Sequence, residues 1–169
     1  MNNFFWSHNN ILRIGQTHQG GIIVYLLLPG DTGYDPIVQH GWIISDEISN
    51  SCIWGSESIN TNARDNYDGL ANTNAIVAAL GSGTYAAKLC YDSTLNGYSD
   101  WYLPALSQLE IAAGNTPTLL SMLYWWSSTE DSLYAPSSAW ARFGDISYGN
   151  NDRYYKAGNS LRVRAMRNF

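Results

Sequence analysis

The chain predicts an α+β domain, on three observations. Strand-type apolar runs lie near its start and again in its last third, while helix-type spacing is confined to the middle. The length of 169 residues suffices to bury one core without staples. With no repeat and no low-complexity linker, one domain is expected over 1–169, with residues 1–10 as a tail.

Ile22 to Leu28 is a continuous β-branched and aromatic run bounded by Gly20-Gly21 and Pro29-Gly30, which predicts a fully buried strand. A second short strand is expected over Gly41–Ser45, after the turn-rich loop GDTGYDPIVQH. Two to three helices follow in the first two thirds. Asn72 or Thr73 can cap one carrying Ile76, Val77 and Leu80, stopped by Gly81; Thr84 can cap the next, through Cys90. A third is expected from about Ala105 to Ala113, with Gly114 as its terminator. Strands over Tyr124–Ser128, Ser138–Phe143 and Leu161–Arg167 complete a set of short antiparallel sheets, the late strands sharing one. In the last of these, Leu161, Val163 and Ala165 should share one face, with Arg162, Arg164 and Met166 on the other.

Only 14% of residues are charged and as many are aromatic, so Asn, Ser, Thr, Gly and Tyr must cover much of the surface. From Asp131 to Leu161 this composition is extreme: Tyr, Ser, Asn, Asp and Gly crowd together with single Arg residues. Recognition surfaces are built this way, because Tyr offers rigid contact area while Ser, Gly and Asn offer adaptable hydrogen bonds. Apart from Trp140 and Lys156, the segment lacks Trp, Lys, Glu, Gln and Met. Those are the five residues that cannot arise when an Asn codon ending in a pyrimidine has its two adenines randomised. At their upstream frequency of about 13%, chance absence is on the order of 2%. A turn-rich loop favouring small polar residues is the plainer alternative.

Several function classes are disfavoured. No Ser-His-acid elbow, phosphate loop or Cys nucleophile with a His partner occurs, and neighbouring carboxylates such as Asp46-Glu47 and Glu130-Asp131 face apart on a strand, so no enzyme is expected. His8, His18 and His40 are scattered, and Cys52 and Cys90 lack metal spacing, although one disulfide between them stays open. Asp31 and Asp35, or Asn150, Asn151 and Asp152, are the calcium-ligand candidates by residue type; such residues more often stabilise turns, and no cofactor is expected. The net charge is −5, yet six of nine basic residues (Arg142, Arg153, Lys156, Arg162, Arg164, Arg167) lie in the last 28 positions. That is a basic tail on an acidic body, with too little Lys for a nucleic-acid partner. The N-terminal stretch MNNFFWSHNNILRIG has no signal-peptide pattern, and Ile22–Leu28 is too short for membrane insertion.

The segments GGIIVYLLLPGDTGYDP, ANTNAIVAAL, LNGYSDWYLP and YWWSSTE, closed by RVRAMRNF, resemble in this order the C-terminal domain of legionella collagen-like adhesins. The resemblance implies a C-type-lectin-like fold whose final strand lies beside its first, here near Ile22–Leu28. Some members of that family are variable proteins of diversity-generating retroelements, in which rewritten Asn codons fall between an Ala-Trp pair and the final Val-Arg strand. Here that is Ala141 to Ser160, and a wider display region is expected over 131–161. The relatives imply a protein or glycan ligand on another cell or particle, a cell-surface, secreted or phage setting, and a homotrimer.

The contact candidates are Tyr134, Ala141, Arg142, Asp145 and Tyr148, then Asn150, Asn151, Asp152, Arg153, Tyr154 and Tyr155, and finally Ala157 and Asn159. Each must be solvent-exposed to vary without unfolding the chain. Gly20–Glu130, Trp140, Lys156 and Arg162–Phe169 form the expected fixed scaffold, with Trp101 and Trp126 in the core and Trp140 either core or floor of the binding face. The alternative is an undiversified adhesin domain that binds sulfated or acidic polysaccharide through Arg142, Arg153, Lys156 and Arg162.

Overall fold

The computed structural model describes residues 11–145 and 150–169, so the expected tail at 1–10 and the display candidate Tyr148 lie outside the described residues. Its strands are β1 (Thr17–His18), β2 (Gly21–Leu26), β3 (Gly41–Ile53), β4 (Tyr124–Glu130), β5 (Ser138–Phe143), β6 (Asn151–Tyr155) and β7 (Ser160–Asn168). Four helices, α1 (Gly69–Leu80), α2 (Ala86–Tyr91), α3 (Leu106–Asn115) and α4 (Pro117–Leu120), fall between β3 and β4. The α+β class therefore holds. In place of several short antiparallel sheets, early and late strands join in one sheet, ordered β1-β2-β3-β7-β4-β5-β6. Its β4–β7 pair is parallel, Trp125 opposite Arg162.

This sheet buries both faces at its centre. Adjacent apolar residues separate into two cores: Ile23, Ile43, Trp126 and Ala165 enter one, and Val24, Ile44, Trp125 and Met166 enter the other. The first core packs under Ile76 of α1 and Ala86, Ala87 and Cys90 of α2. The second is covered by Leu109, Ala112 and Ala113 of α3 and Leu120 of α4. Continuous apolar runs such as Ile22-Ile23-Val24 and Trp125-Trp126 follow from this two-sided burial, because a strand with helices on both faces has no wet side.

Several element boundaries differ from expectation. Leu27 and Leu28 lie beyond β2, and Leu28 is exposed. β3 runs eight residues past Ser45, carried by pairing with β7 from Trp42 opposite Asn168 to Ile53 opposite Ser160, through three register shifts. Asp68, and not Asn72 or Thr73, caps α1, its Oδ1 accepting from the Ala71 amide at 2.8 Å. The latter two are buried inside the helix and fasten loops instead. Asn72 Nδ2 donates to the Asp65 carbonyl at 2.6 Å, and Thr73 Oγ1 accepts from the Leu103 amide at 2.9 Å. α1 does end at Gly81, whose φ of 69° suits glycine. α2 begins after Tyr85, one residue beyond Thr84, and α3 runs through Gly114. β1, α4 and β6 were not foreseen. Cys52 and Cys90 are both free and buried.

β7 sits between β3 and β4, inside the sheet, and does not pair with β2 as the resemblance implied. Its alternation is as read: Val163 and Ala165 enter the first core with Leu161 against it, and Met166 enters the second. Its arginines are tied to the body. Arg167 forms a two-point pair with Asp100 (Nε to Oδ1 2.6 Å, Nη2 to Oδ2 2.8 Å), Arg162 pairs with Glu47, and Arg164 Nη1 donates to the Ser45 carbonyl. The Arg167 bonds hold the Asp100 carboxyl below its usual range.

Trp126 is fully buried and its indole Nε1 donates to the Cys52 carbonyl at 2.8 Å. Trp126→Ala should therefore cost about 3–5 kcal/mol by lost packing, plus an orphaned carbonyl. Urea denaturation checks this, and a loss under about 1 kcal/mol would contradict the core assignment.

Candidate functional site

β5 and β6 form an antiparallel pair at the sheet edge, with Trp140 opposite Arg153, Ala141 opposite Asp152 and Ser138 opposite Tyr155. Alternation along β6 then divides the candidates between two faces. Tyr154 packs against the first core, and Asp152 lies on the same side of the strand but is exposed. The Tyr154 ring meets Trp126 edge-on at 6.1 Å and Tyr124 at 5.1 Å, while Asp152 Oδ2 accepts from the Tyr124 hydroxyl at 2.8 Å. That hydrogen bond pushes the Tyr124 hydroxyl pKa well up. Arg153 and Tyr155 turn the opposite way, onto the face that holds Trp140.

Arg153 is held on that face by one carboxylate and two rings. Its guanidinium lies 4.6 Å from the Trp140 ring centre and 5.2 Å from that of Tyr134, and its Nε contacts Asp131 Oδ2 at 3.1 Å. Asp131 is buried and also accepts from Ser138 Oγ at 3.1 Å and the Leu133 amide at 2.9 Å. Charge and rings thus hold the guanidinium in one place, and the Leu133 amide and Ser138 hydroxyl hold the carboxylate it contacts. Beside it a groove of about 800 Å³ is lined by Leu133, Tyr134, Arg153, Tyr154, Tyr155 and Asn159, among others. Leu133, Tyr134 and Tyr155 are 74%, 60% and 62% exposed, so their apolar surface is open to a partner.

Not every candidate belongs to this surface. Ala141 is fully buried in the first core, and Arg142 is 6% exposed, its Nη1 donating to Asn151 Oδ1 at 3.3 Å. Neither can be a display position, because both side chains are enclosed. Asn151 is half-buried and its Nδ2 donates to Glu110 of α3 at 2.6 Å. Asp145 is half-buried at the end of β5, and Asn150 is exposed. Ala157 is exposed on a turn held by Glu57, whose Oε1 accepts from the Ala157 and Gly158 amides at 3.1 and 2.7 Å. Asn159 Oδ1 closes the same turn on the Tyr155 amide at 3.1 Å. Asp131 and Leu133 were missed as site residues, and the signal for Asp131 was its place beside Glu130 at the end of β4.

Lys156 is fully buried and cannot meet a polyanion. Its Nζ pairs with Glu130 Oε1, donates to the Ile59 carbonyl at 3.1 Å and lies 4.6 Å from the Trp54 ring centre. Glu130 in turn accepts from the Thr61 and Asn62 amides, each at 3.0 Å. Burial lowers the lysine pKa and the Glu130 hydrogen bond opposes that shift. With Lys156 enclosed, Arg142 buried and Arg162 on Glu47, the four cations named for a polysaccharide site form no open patch.

The turn carboxylates are likewise engaged by backbone. Asp35 Oδ1 accepts from the Ile37 and Val38 amides at 2.6 and 3.0 Å. Among the described residues no group of three or more His, Cys, Asp or Glu side chains could hold a metal ion, and no helix is long and apolar enough to cross a membrane. Searches against protein-family models, curated proteins and solved structures return no match.

Removing Lys156 leaves the buried Glu130 charge paired only by a 3.8 Å contact to the exposed Arg64. Lys156→Met should cost about 3–5 kcal/mol, and the double variant Lys156→Met/Glu130→Gln should regain about 1–3 kcal/mol of that loss. Chemical denaturation of the wild type, Lys156→Met, Glu130→Gln and the double variant closes the cycle; additive single losses would show that the pair is not coupled.

Proposed function

We propose that this chain is a non-enzymatic recognition module of C-type-lectin-like fold, a variable protein of a diversity-generating retroelement that binds a protein or glycan ligand through the β5–β6 face. The observation that carries the reading is the Arg153 cluster: an arginine fixed by Asp131 and two aromatic rings, beside a groove with exposed Tyr134 and Tyr155. Tyr, Trp and Arg in such a setting are the residue types that dominate contact energy in protein interfaces. The residue classes missing from 131–161 agree with codon rewriting there, and the two exceptions, Trp140 and Lys156, are the floor and the buried anchor of the site. Variation would then act on Tyr134, Asn150, Tyr155 and Ala157, whose exposed side chains leave both cores untouched.

The DNA flanking the gene provides the decisive test of diversification. A reverse transcriptase gene and a near-copy of the stretch encoding 131–161, differing at Asn codons, are expected; a flank with neither would sink that part of the reading. On the protein, replacing Tyr134, Asn150, Tyr155 and Ala157 together should change the unfolding free energy by less than about 0.5 kcal/mol per site. Arg153→Ser should cost more, about 1–3 kcal/mol, since it leaves Asp131 buried without its cation. Thermal and urea unfolding distinguish these outcomes, and collapse of the fourfold variant would refute the display surface.

A further inference from the structure

A second cavity, of about 710 Å³, shares no residue with the β5–β6 groove and opens where β2, β3 and the C-terminal end of β7 meet the start of α1. Its walls include the aromatic side chains of Tyr25, Trp42, Tyr67 and Tyr102. Tyr25 and Trp42 lie against each other with ring centres 4.6 Å apart, and Tyr67 is 68% exposed at the rim.

The fixed charge of this cavity has one sign. Asp31, Asp65 and Asp68 line it with His40, and no Lys or Arg does so among the described residues. Each carboxylate is held by nearby groups through one oxygen. Asp31 Oδ2 accepts from the Tyr25 hydroxyl and the Leu28 amide, both at 2.7 Å. Asp65 Oδ1 takes the Tyr67 and Asp68 amides at 2.7 and 2.9 Å, and Asp68 Oδ1 takes the Ala71 amide. Among the described residues, the second oxygen of each accepts no hydrogen bond. The Leu28 and Tyr25 bonds keep the Asp31 carboxyl below its usual range, so it is ionised near neutrality.

An anion is rejected by this charge, and the carboxylates are not gathered as a metal site. A cation with an apolar skin meets both features: its charge interacts with aromatic faces and balances the carboxylates, and its carbon surface takes the rings out of water. The volume suits a small organic molecule or a side chain with its flanking atoms. We propose that this cavity binds an organic ammonium group, methylated or quaternary, seated against Tyr25, Trp42 and Tyr67 with Asp31 and Asp68 supplying the counter-charge.

The whole chain is titrated with choline, with its neutral carbon analogue 3,3-dimethylbutan-1-ol, and with glucose. The readouts are tryptophan fluorescence and the Trp42 indole N–H resonance, assigned with Trp42→Phe. Choline is expected to saturate and to bind at least about tenfold more tightly than the neutral analogue. Asp31→Asn/Asp68→Asn, which retains oxygen acceptors but not charge, should weaken choline by about tenfold or more. Tyr67→Ala, at an exposed position outside both cores, should weaken it with the thermal midpoint unchanged and serves if the first variant unfolds. Equal binding of the neutral analogue, glucose binding in place of choline, or no saturation by choline below about 100 mM would each overturn the proposal.

Discussion

The ion pair between Lys156 and Glu130 is the contact on which the arrangement of the late chain depends. Four segments meet at it. Lys156 opens the turn after β6 with its amide on the Ser137 carbonyl, its own carbonyl takes the Trp54 amide at 2.9 Å, and the Glu130 amide donates to the Ala63 carbonyl at 2.6 Å. The loop 54–63 after β3, the end of β4, the start of β5 and the turn after β6 are thereby fixed to one another. Two charges in a dry site are costly unless each is hydrogen-bonded as well as paired. Here the Thr61 and Asn62 amides complete the carboxylate, and the Ile59 carbonyl with the Trp54 ring completes the ammonium.

That anchor explains how an edge hairpin can carry an unusual polar composition without loosening the fold. β6 is the outermost strand and has only β5 as a partner, so it would fray if backbone pairing alone held it. Tyr154 reaches inward from β6 and Lys156 from the turn just after it, while Arg153 is clasped by Asp131 on the opposite face. Exposed side chains between these fixed points contribute contact surface and little stability. The proposed recognition surface and the core contact of Tyr154 thus share one short strand.

The two cavities differ in chemistry as well as in place. The β5–β6 groove presents a fixed guanidinium among tyrosines and suits partners rich in acceptors and apolar edges. The groove near α1 presents carboxylates among aromatic rings and suits a cation. They share no lining residue, so a substitution in one need not disturb the other.

Local pattern alone determined the α+β class, the central strand of β2, the exact span of β5, the stop of α1 at Gly81 and the alternation of β7. These depend on neighbours a few residues apart, and period and turn chemistry report them directly. The burial of Trp101 and Trp126 was expected instead from the motifs that carry the resemblance and from the weight of large aromatic rings in cores. What only tertiary structure decided were the pairings across long stretches: β7 beside β3 and not β2, the extension of β3 through Asp46 and Glu47, and the burial of Lys156 against Glu130. Polar residues can be read as surface or as interior with equal ease until their partners are known, which is why Arg142 was placed on the display face; Ala141 was placed there because the resemblance starts the varied segment at it. β6, NDRYY, has the composition of a loop and becomes a strand because β5 offers it an edge. The site divided in the same way: its residue types were visible along the chain, but which of them share a face was set by register, and register is a property of two strands together.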